Sequence, residues 1–234
     1  MNIKHKKPTL TKKQRHRLRV QQVRRQKIFL TCLFLLIVGC ILLRFSKFSG
    51  RQEEAHQINA ACEAYRDEVS SEAAQYDMSD YVDLILAVMM QESSGQGTDP
   101  MQSSEGAYNT RYPQQPNGIT DPSYSISCGI QELKYALDKA GCTGPTDLSK
   151  IRLALQAYNF GADSYFAYLE ENGQTVWTAQ SAQAFAQMAS GNTQRDEDDP
   201  LHDPAGPWDY GDQYYPDHEM CIRDRGYPVP FKGQ

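Results

Sequence analysis

The first 27 residues contain no acidic residue, and the sixteen that follow, Ile28 to Leu43, contain no charge at all. No stretch alternates apolar and polar residues at period two for long, which argues against a protein built from half-buried strands. No cysteine–histidine spacing suits a metal ion, so neither a metal nor any other cofactor is called for. No internal repeat recurs, which removes solenoid and propeller architectures.

What is present is strongly polarised. Eleven Lys and Arg crowd residues 1–27, so the rest of the 234-residue chain holds thirteen basic against twenty-nine acidic residues. A basic head on an acidic body suggests a boundary, and the charge-free run "IFLTCLFLLIVGCILL" lies just behind the head. Sixteen residues rise roughly 24 Å as a helix, slightly short of a bilayer's hydrocarbon core. Arg44 and Lys47 can snorkel outward, so that Phe45 and Phe48 extend the span.

The positive-inside rule places the head in the cytoplasm and the acidic body outside. No small-x-small cleavage site follows, so the reading is an uncleaved signal anchor. "IVGC", Ile37 to Cys40, resembles a lipoprotein processing box, but hydrophobicity continues past Cys40 through Leu43. The expected organisation is a basic cytoplasmic head (1–27), a single transmembrane helix (28–48), a stalk (49–55) and a domain facing the cell wall (56–219). Beside a membrane span, the basic head reads as a topology and anionic-lipid signal, with no nucleic acid as partner.

The outer part reads as all-α. Residues 51–76 carry a thin apolar stripe, and Ser79 or Asp80 can cap a helix over Tyr81–Glu92. Residues 93–122 are a long loop rich in Gly, Ser, Pro and Asn, and loops of that length are usually functional. Helices are expected over Ser125–Ala140, stopped by Gly141, and over Leu148–Tyr158, capped by Asp147. Two more are expected over Ser164–Glu171 and Ala179–Ala189, with loop again over 191–219. Cys62, Cys128 and Cys142 would lie outside the cell, where disulfides persist. Cys128 and Cys142 flank a helix roughly 21 Å long, beyond disulfide reach.

Glu92 is the residue that asks for an explanation. It follows the apolar run Leu84–Met90 and lies seven, four and three residues after Ile85, Val88 and Met89, on one helix face. A carboxyl on an apolar face, at the negative end of a helix dipole, has its anion disfavoured and its pKa raised. Such a group can deliver a proton near neutral pH, which glycosidic cleavage requires. A glutamate on a frayed helix end facing water would show the same spacing.

Four motifs then come in order. "QESSG" at 91–95 looks like the Glu-Ser motif of soluble lytic transglycosylases and goose-type lysozymes. "DPMQ" at 99–102 resembles the second half of their Gly-Leu-Met-Gln motif, with Asp99-Pro100 standing where they have Gly-Leu. "DPSYSISCGIQEL" at 121–133 resembles their Asp-Pro-x-x-Asn-Ile-x-x-Gly-x-x-Tyr-Leu stretch, and "ALQAYNFG" at 154–161 their Ala-Tyr-Asn-x-Gly motif. The combination is most similar to the CwlT-like lysozyme domain, found on cell-wall hydrolases of Gram-positive conjugative elements.

That resemblance implies a lysozyme-like fold acting on peptidoglycan between N-acetylmuramic acid and N-acetylglucosamine, as lytic transglycosylase or muramidase. It implies conjugation or secretion machinery as a partner. Glu92 would be the general acid, and Ser93 would help place the sugar. Met101 and Gln102 would line the cleft beside the cleaved bond. Tyr158 and Asn159 would line the opposite wall, with Tyr158 near enough to orient Glu92. Gly129 would serve close helix packing.

With one matched acid, the muramic acid's own 6-hydroxyl would close onto C1. If Asp99, Glu105 or Asp121 faces Glu92, hydrolysis becomes available. The alternative is a non-catalytic wall-binding or scaffold protein on the same fold. Residues 220–225, "MCIRDR", match the translation of a transposase adapter used in sequencing libraries. Residues 220–234 are therefore expected to be foreign to the domain. Family members generally carry an NlpC-type cysteine peptidase after the lysozyme-like part, so the intact gene is expected to continue into one.

Overall fold

Apolar residues spaced three and four apart wind the chain into helices wherever the sequence allows one face to be buried. The computed structural model describes residues 58–199 and 202–226, all within the second of two units, His56–Gln234. The expected head, anchor and stalk lie outside the described residues. Among the described residues, no helix is long and apolar enough to cross a membrane.

Among the described residues eight α-helices follow one another: α1 (Ala60–Glu63), α2 (Arg66–Gln75), α3 (Val82–Ser93), α4 (Pro122–Ala140), α5 (Leu148–Phe160), α6 (Ala162–Glu171), α7 (Ala179–Ala189) and α8 (Tyr215–Gly226). A single 3₁₀ turn, Ser79–Tyr81, precedes α3. Among the described residues there is no strand, only one isolated antiparallel bridge between Gln194 and Trp208. The domain is mainly helical.

Local chemistry sets the helix ends. Asp121 accepts from Ser123 N at the start of α4, and Pro122 fills the first turn, where its missing N–H costs nothing. Gly141 ends α4 in the left-handed region at φ 72°. Asp147 caps α5, as expected. Neither Ser79 nor Asp80 caps α3: both are taken into the 3₁₀ turn, and Tyr81 occupies the cap position without a side-chain bond. The expected helix over 51–76 is broken between α1 and α2 at Ala64–Tyr65.

The core gathers around α5, which packs against α4, α6 and α8. Ile126, Ile130, Leu133 and Leu137 form one buried stripe of α4, and Ile151 and Leu155 answer from α5. α3 is buried from Leu84 to Met89 because α1, α2 and α8 all pack against it. That enclosure makes α3 a rigid mount for whatever its last turn carries.

Candidate active site

Glu92 sits in the last turn of α3, one turn beyond the fully buried Val88 and Met89. The chain then turns sharply, with Ser94 in the left-handed region at φ 56° and Gly95 at φ 72°. A side chain at Gly95 would meet the backbone of Cys62 at 2.8 Å, so the loop can leave α3 only because that residue is glycine.

The Glu92 carboxyl accepts a hydrogen bond of 2.6 Å from the Tyr215 hydroxyl. Its pKa is pushed up to about 7. Burial is the largest cause; the Tyr215 hydrogen bond pulls the other way, and the negative charges of Asp212, Asp99 and Glu132 push further up. Tyr215 is itself 1% exposed, and burial holds its phenol well above the ordinary value, so it stays protonated and donates. A cavity of about 500 Å³ opens beside the pair, with Glu92, Asn159, Asp212, Tyr215 and His218 in its wall.

Of the other residues singled out from sequence, only Asn159 lies in the wall of this cavity. Ser93 donates from Oγ to the Pro100 carbonyl at 2.8 Å and accepts from Gly95 N, tying the helix end to the loop. Met101 is fully buried against Gly129: a Cβ on that glycine would sit 2.6 Å from the Met101 Cβ. The close approach at Gly129 is therefore to the loop and not to another helix. Gln102 is exposed, adopts φ 48°, and donates from Nε2 to the Asp99 carbonyl and to Asn117 Oδ1. Tyr158 donates to the Met101 carbonyl at 3.0 Å, and its ring lies 6.5 Å from that of Tyr215. Asn159 accepts from Asp212 N at 2.7 Å.

Glu92 and Asn159 line the cavity. Ser93, Met101, Gln102 and Tyr158 brace the loop that follows α3. The hydroxyl that touches Glu92 belongs to Tyr215, while that of Tyr158 is engaged with the loop.

The three loop carboxylates behave differently from one another. Asp99 is 1% exposed and accepts from Ser103 N, from Ser125 Oγ at 2.6 Å, and from both the backbone and hydroxyl of Ser104. Asp121 is the α4 cap, and Glu105 is exposed. Two carboxyls outside that set also act on the site. Glu132 on α4 accepts from Ala107 N, and burial pushes its pKa up to about 7. Glu219 on α8 is fully buried with no hydrogen-bond partner on either oxygen; burial and the charge of Glu92 raise its pKa well above the usual range.

Sequence reasoning placed 191–219 as loop and so missed α8, which supplies Tyr215 and His218. The signal was present: Asp212 accepts from Tyr214 N, and Pro216 stands in the first turn of α8, the usual start of a helix. Cys62, Cys128 and Cys142 are all free thiols. Among the described residues, no group of acidic, histidine or cysteine side chains is arranged to hold a metal ion.

Comparison with known proteins agrees with this architecture. The family model described as lysozyme-like matches residues 60–218. The chain is 35% identical over 171 residues to the bifunctional muramidase/DL-endopeptidase CwlT of Bacillus subtilis, covering 73% of this chain and 42% of that protein. It is 40% identical over 111 residues to the uncharacterized membrane protein YocA of the same organism, covering 47% of this chain and 45% of YocA. Thus it spans less than half the length of these relatives. A crystal structure from Staphylococcus aureus, titled as similar to a lipoprotein of the NLP/P60 family, superposes with a TM-score of 0.61 at 26% identity, over 76% of this chain and 57% of that one. The chain belongs to the lysozyme-like family, and its helical domain is CwlT-like.

Proposed function

We propose that this lysozyme-like domain cuts the glycan strand of peptidoglycan between N-acetylmuramic acid and N-acetylglucosamine, with Glu92 as general acid. The observation that carries this reading is a carboxyl with its pKa raised to about 7, held at 2.6 Å by a buried phenol, in the wall of a cavity of about 500 Å³. In that state it is substantially protonated at neutral pH and hands its proton to the glycosidic oxygen as the C1–O bond breaks. The freed carboxylate then serves as the base that completes the cycle. Two further facts support the reading: a relative sharing 35% identity is named a muramidase, and the family match runs over residues 60–218.

The test is a gel zymogram on purified cell walls. The wild-type chain clears the gel; Glu92→Gln, which keeps shape and hydrogen bonding but has no proton to give, leaves it opaque. A wild-type chain that binds walls without clearing them would make it a binding or scaffold protein instead.

We further propose that the basic head and apolar run hold the chain at the cell membrane, with the domain facing the wall. One relative carries the words membrane protein in its name. Protease added to intact protoplasts removes everything beyond residue 50 and spares the head. Survival of the outer domain in that assay reverses the topology.

A further inference from the structure

The cavity beside Glu92 holds a cation that proton transfer from Glu92 does not use. Arg195 stands in the same wall, and its side chain is only 7% exposed. A guanidinium keeps its proton, so it is buried as a cation and has to be met by acceptors. The chain meets it sparingly. Nη2 donates to the Gly211 carbonyl at 2.8 Å, and Nε lies 3.6 Å from Asp209 Oδ1, on a side chain that is 56% exposed. Among the described residues, Nη1 has no acceptor, and it is not sealed from solvent.

The mount of this side chain is firm. Residues 193–195 and 207–209 run side by side through the Gln194–Trp208 bridge. Arg195 N donates to the Pro207 carbonyl, and Asp209 N to the Thr193 carbonyl, both at 2.9 Å. Gly211, whose carbonyl holds the guanidinium, has φ 49°, and a Cβ there would sit 2.6 Å from Asn159 Oδ1. Two carboxylates share the cavity wall. Asp212 is matched by His218, and Asp203 accepts from Ala205 N. Neither is paired with Arg195. A second polar group in that wall is also unmatched: His202 Nδ1 is buried without a partner among the described residues.

The N–H groups of an arginine form a planar fork that fits the two oxygens of a carboxylate. The substrate class proposed above offers one. N-acetylmuramic acid bears a lactyl ether that ends in a carboxyl group, either free or amide-linked to a peptide with carboxylates of its own. N-acetylglucosamine has none. We propose that Arg195 is the receptor for a carboxylate borne by the muramic acid unit, so that the cavity selects strands charged at that sugar. The proposal rests on the peptidoglycan reading above. Seating the carboxylate on Arg195 fixes which of the two alternating sugars lies against Glu92, and so which glycosidic bond is cut.

The experiment measures, by calorimetry, the binding of soluble glycan strands to the full-length Glu92→Gln chain, which leaves them uncut. The strands carry their peptides or are stripped of them by an amidase, and each kind is also used with its carboxyl groups converted to neutral amides. Amidation is expected to weaken binding roughly ten- to a hundredfold, the scale of one hydrogen bond to a charged group. Weakening on stripped strands assigns the lactyl carboxylate; weakening confined to peptide-bearing strands assigns a carboxylate of the peptide. Adding Arg195→Gln is expected to bring charged strands down to the affinity of amidated ones. Arg195→Lys, which keeps the charge without the fork, is expected to fall between. A merely structural role would weaken charged and amidated strands alike. Equal binding of charged and amidated strands overturns the proposal before any Arg195 variant is made. A preference that survives Arg195→Gln overturns it too. Cutting of the same strands by the wild-type chain is scored separately: no cutting, with the binding preference intact, defeats the glycosidase reading alone.

Discussion

Loop 94–121 and segment 202–219 both border Glu92, but they are built in opposite ways. In the loop, polar groups satisfy one another: Asp99 gathers Ser103, Ser104 and Ser125, and the Asn109 amide donates to the carbonyls of Ser104 and Tyr112. In segment 202–219 Asp212 and Gln213 are likewise engaged, but two side chains are left over. Among the described residues, every buried side-chain nitrogen or oxygen without a partner belongs to that segment, at His202 and Glu219. A fully satisfied network rigidifies, whereas an unsatisfied or titrating one responds to protons and ligands. The loop is a fixed wall behind the end of α3, tied to it through Ser93 and Pro100, and the segment ending in α8 lines the cavity and carries the reactive one.

The sharpest test of this contrast is Glu92, which the two walls share. Glu92→Gln is expected to lower wall lysis by roughly two or more orders of magnitude. The same change is expected to raise stability at neutral pH. A carboxyl whose folded pKa is raised from 4.5 to about 7 stabilises the folded state fully below the unfolded value and progressively less as pH climbs through the folded value. Glutamine removes that loss, so the gain should reach about 1–3 kcal/mol above pH 7 and vanish near pH 4. Thermal melts of both chains across that range check the sign.

The fixed wall should break all at once. Asp99→Ala strands the Ser103 and Ser104 N–H groups and two buried hydroxyls, each costing about 1–3 kcal/mol when left unpaired, with partial relief from water. A loss of about 2–4 kcal/mol is expected, read as a lower denaturation midpoint. Activity should fall through the collapse of Met101 and Gln102, and the limb on which Glu92 loses its proton should move to lower pH, because the Asp99 charge is one of those that raise it. Gly129→Ala attacks the same wall from α4. Its methyl would meet the Met101 Cβ at 2.6 Å, and overpacking of this kind costs about 1–3 kcal/mol.

The reactive wall should respond in the other direction. Glu219→Val places an apolar side chain where a buried carboxyl has no partner, and a gain of about 1–3 kcal/mol is expected. The gain should grow as pH rises, because a raised carboxyl pKa weakens the folded state above the unfolded value. Position 219 directly precedes the adapter-like string at 220–225, and the family match ends at residue 218.

The same contrast governs how much was readable. Helices α4, α5 and α7 could be placed from sequence because each has an apolar stripe and a capping residue that act locally. Glu92 could be found because its neighbours at three, four and seven residues are apolar. The partners of Glu92 could not. Tyr215 lies 123 residues away and reaches it only through the packing of α8 on α3. "YGDQYYPDHE" has too few apolar residues to show a buried stripe, so its helix is set by tertiary contact and not by pattern. The loop's internal wiring was equally hidden, since hydrogen bonds from Asp99 to Ser103 and Ser125 follow no periodicity.

Tyr215→Phe is expected to be the gentlest change, and it separates the two walls most cleanly. It removes one hydroxyl and keeps the ring that packs beside Tyr158. The lost hydrogen bond stabilised the Glu92 anion, so without it the carboxyl's pKa rises further. A net cost of about 1 kcal/mol is the usual scale for one such bond, and the fold should survive it. The limb of the pH–activity profile on which Glu92 loses its proton should therefore move to higher pH, by less than about one unit. Maximal activity should fall only about fivefold, because the proton donor remains but is less firmly aimed. The control is Tyr158→Phe, whose hydroxyl is bonded to the Met101 carbonyl in the fixed wall. That variant should lower activity without moving the limb. If both variants shift the limb equally, the division between a fixed wall and a reactive wall does not hold.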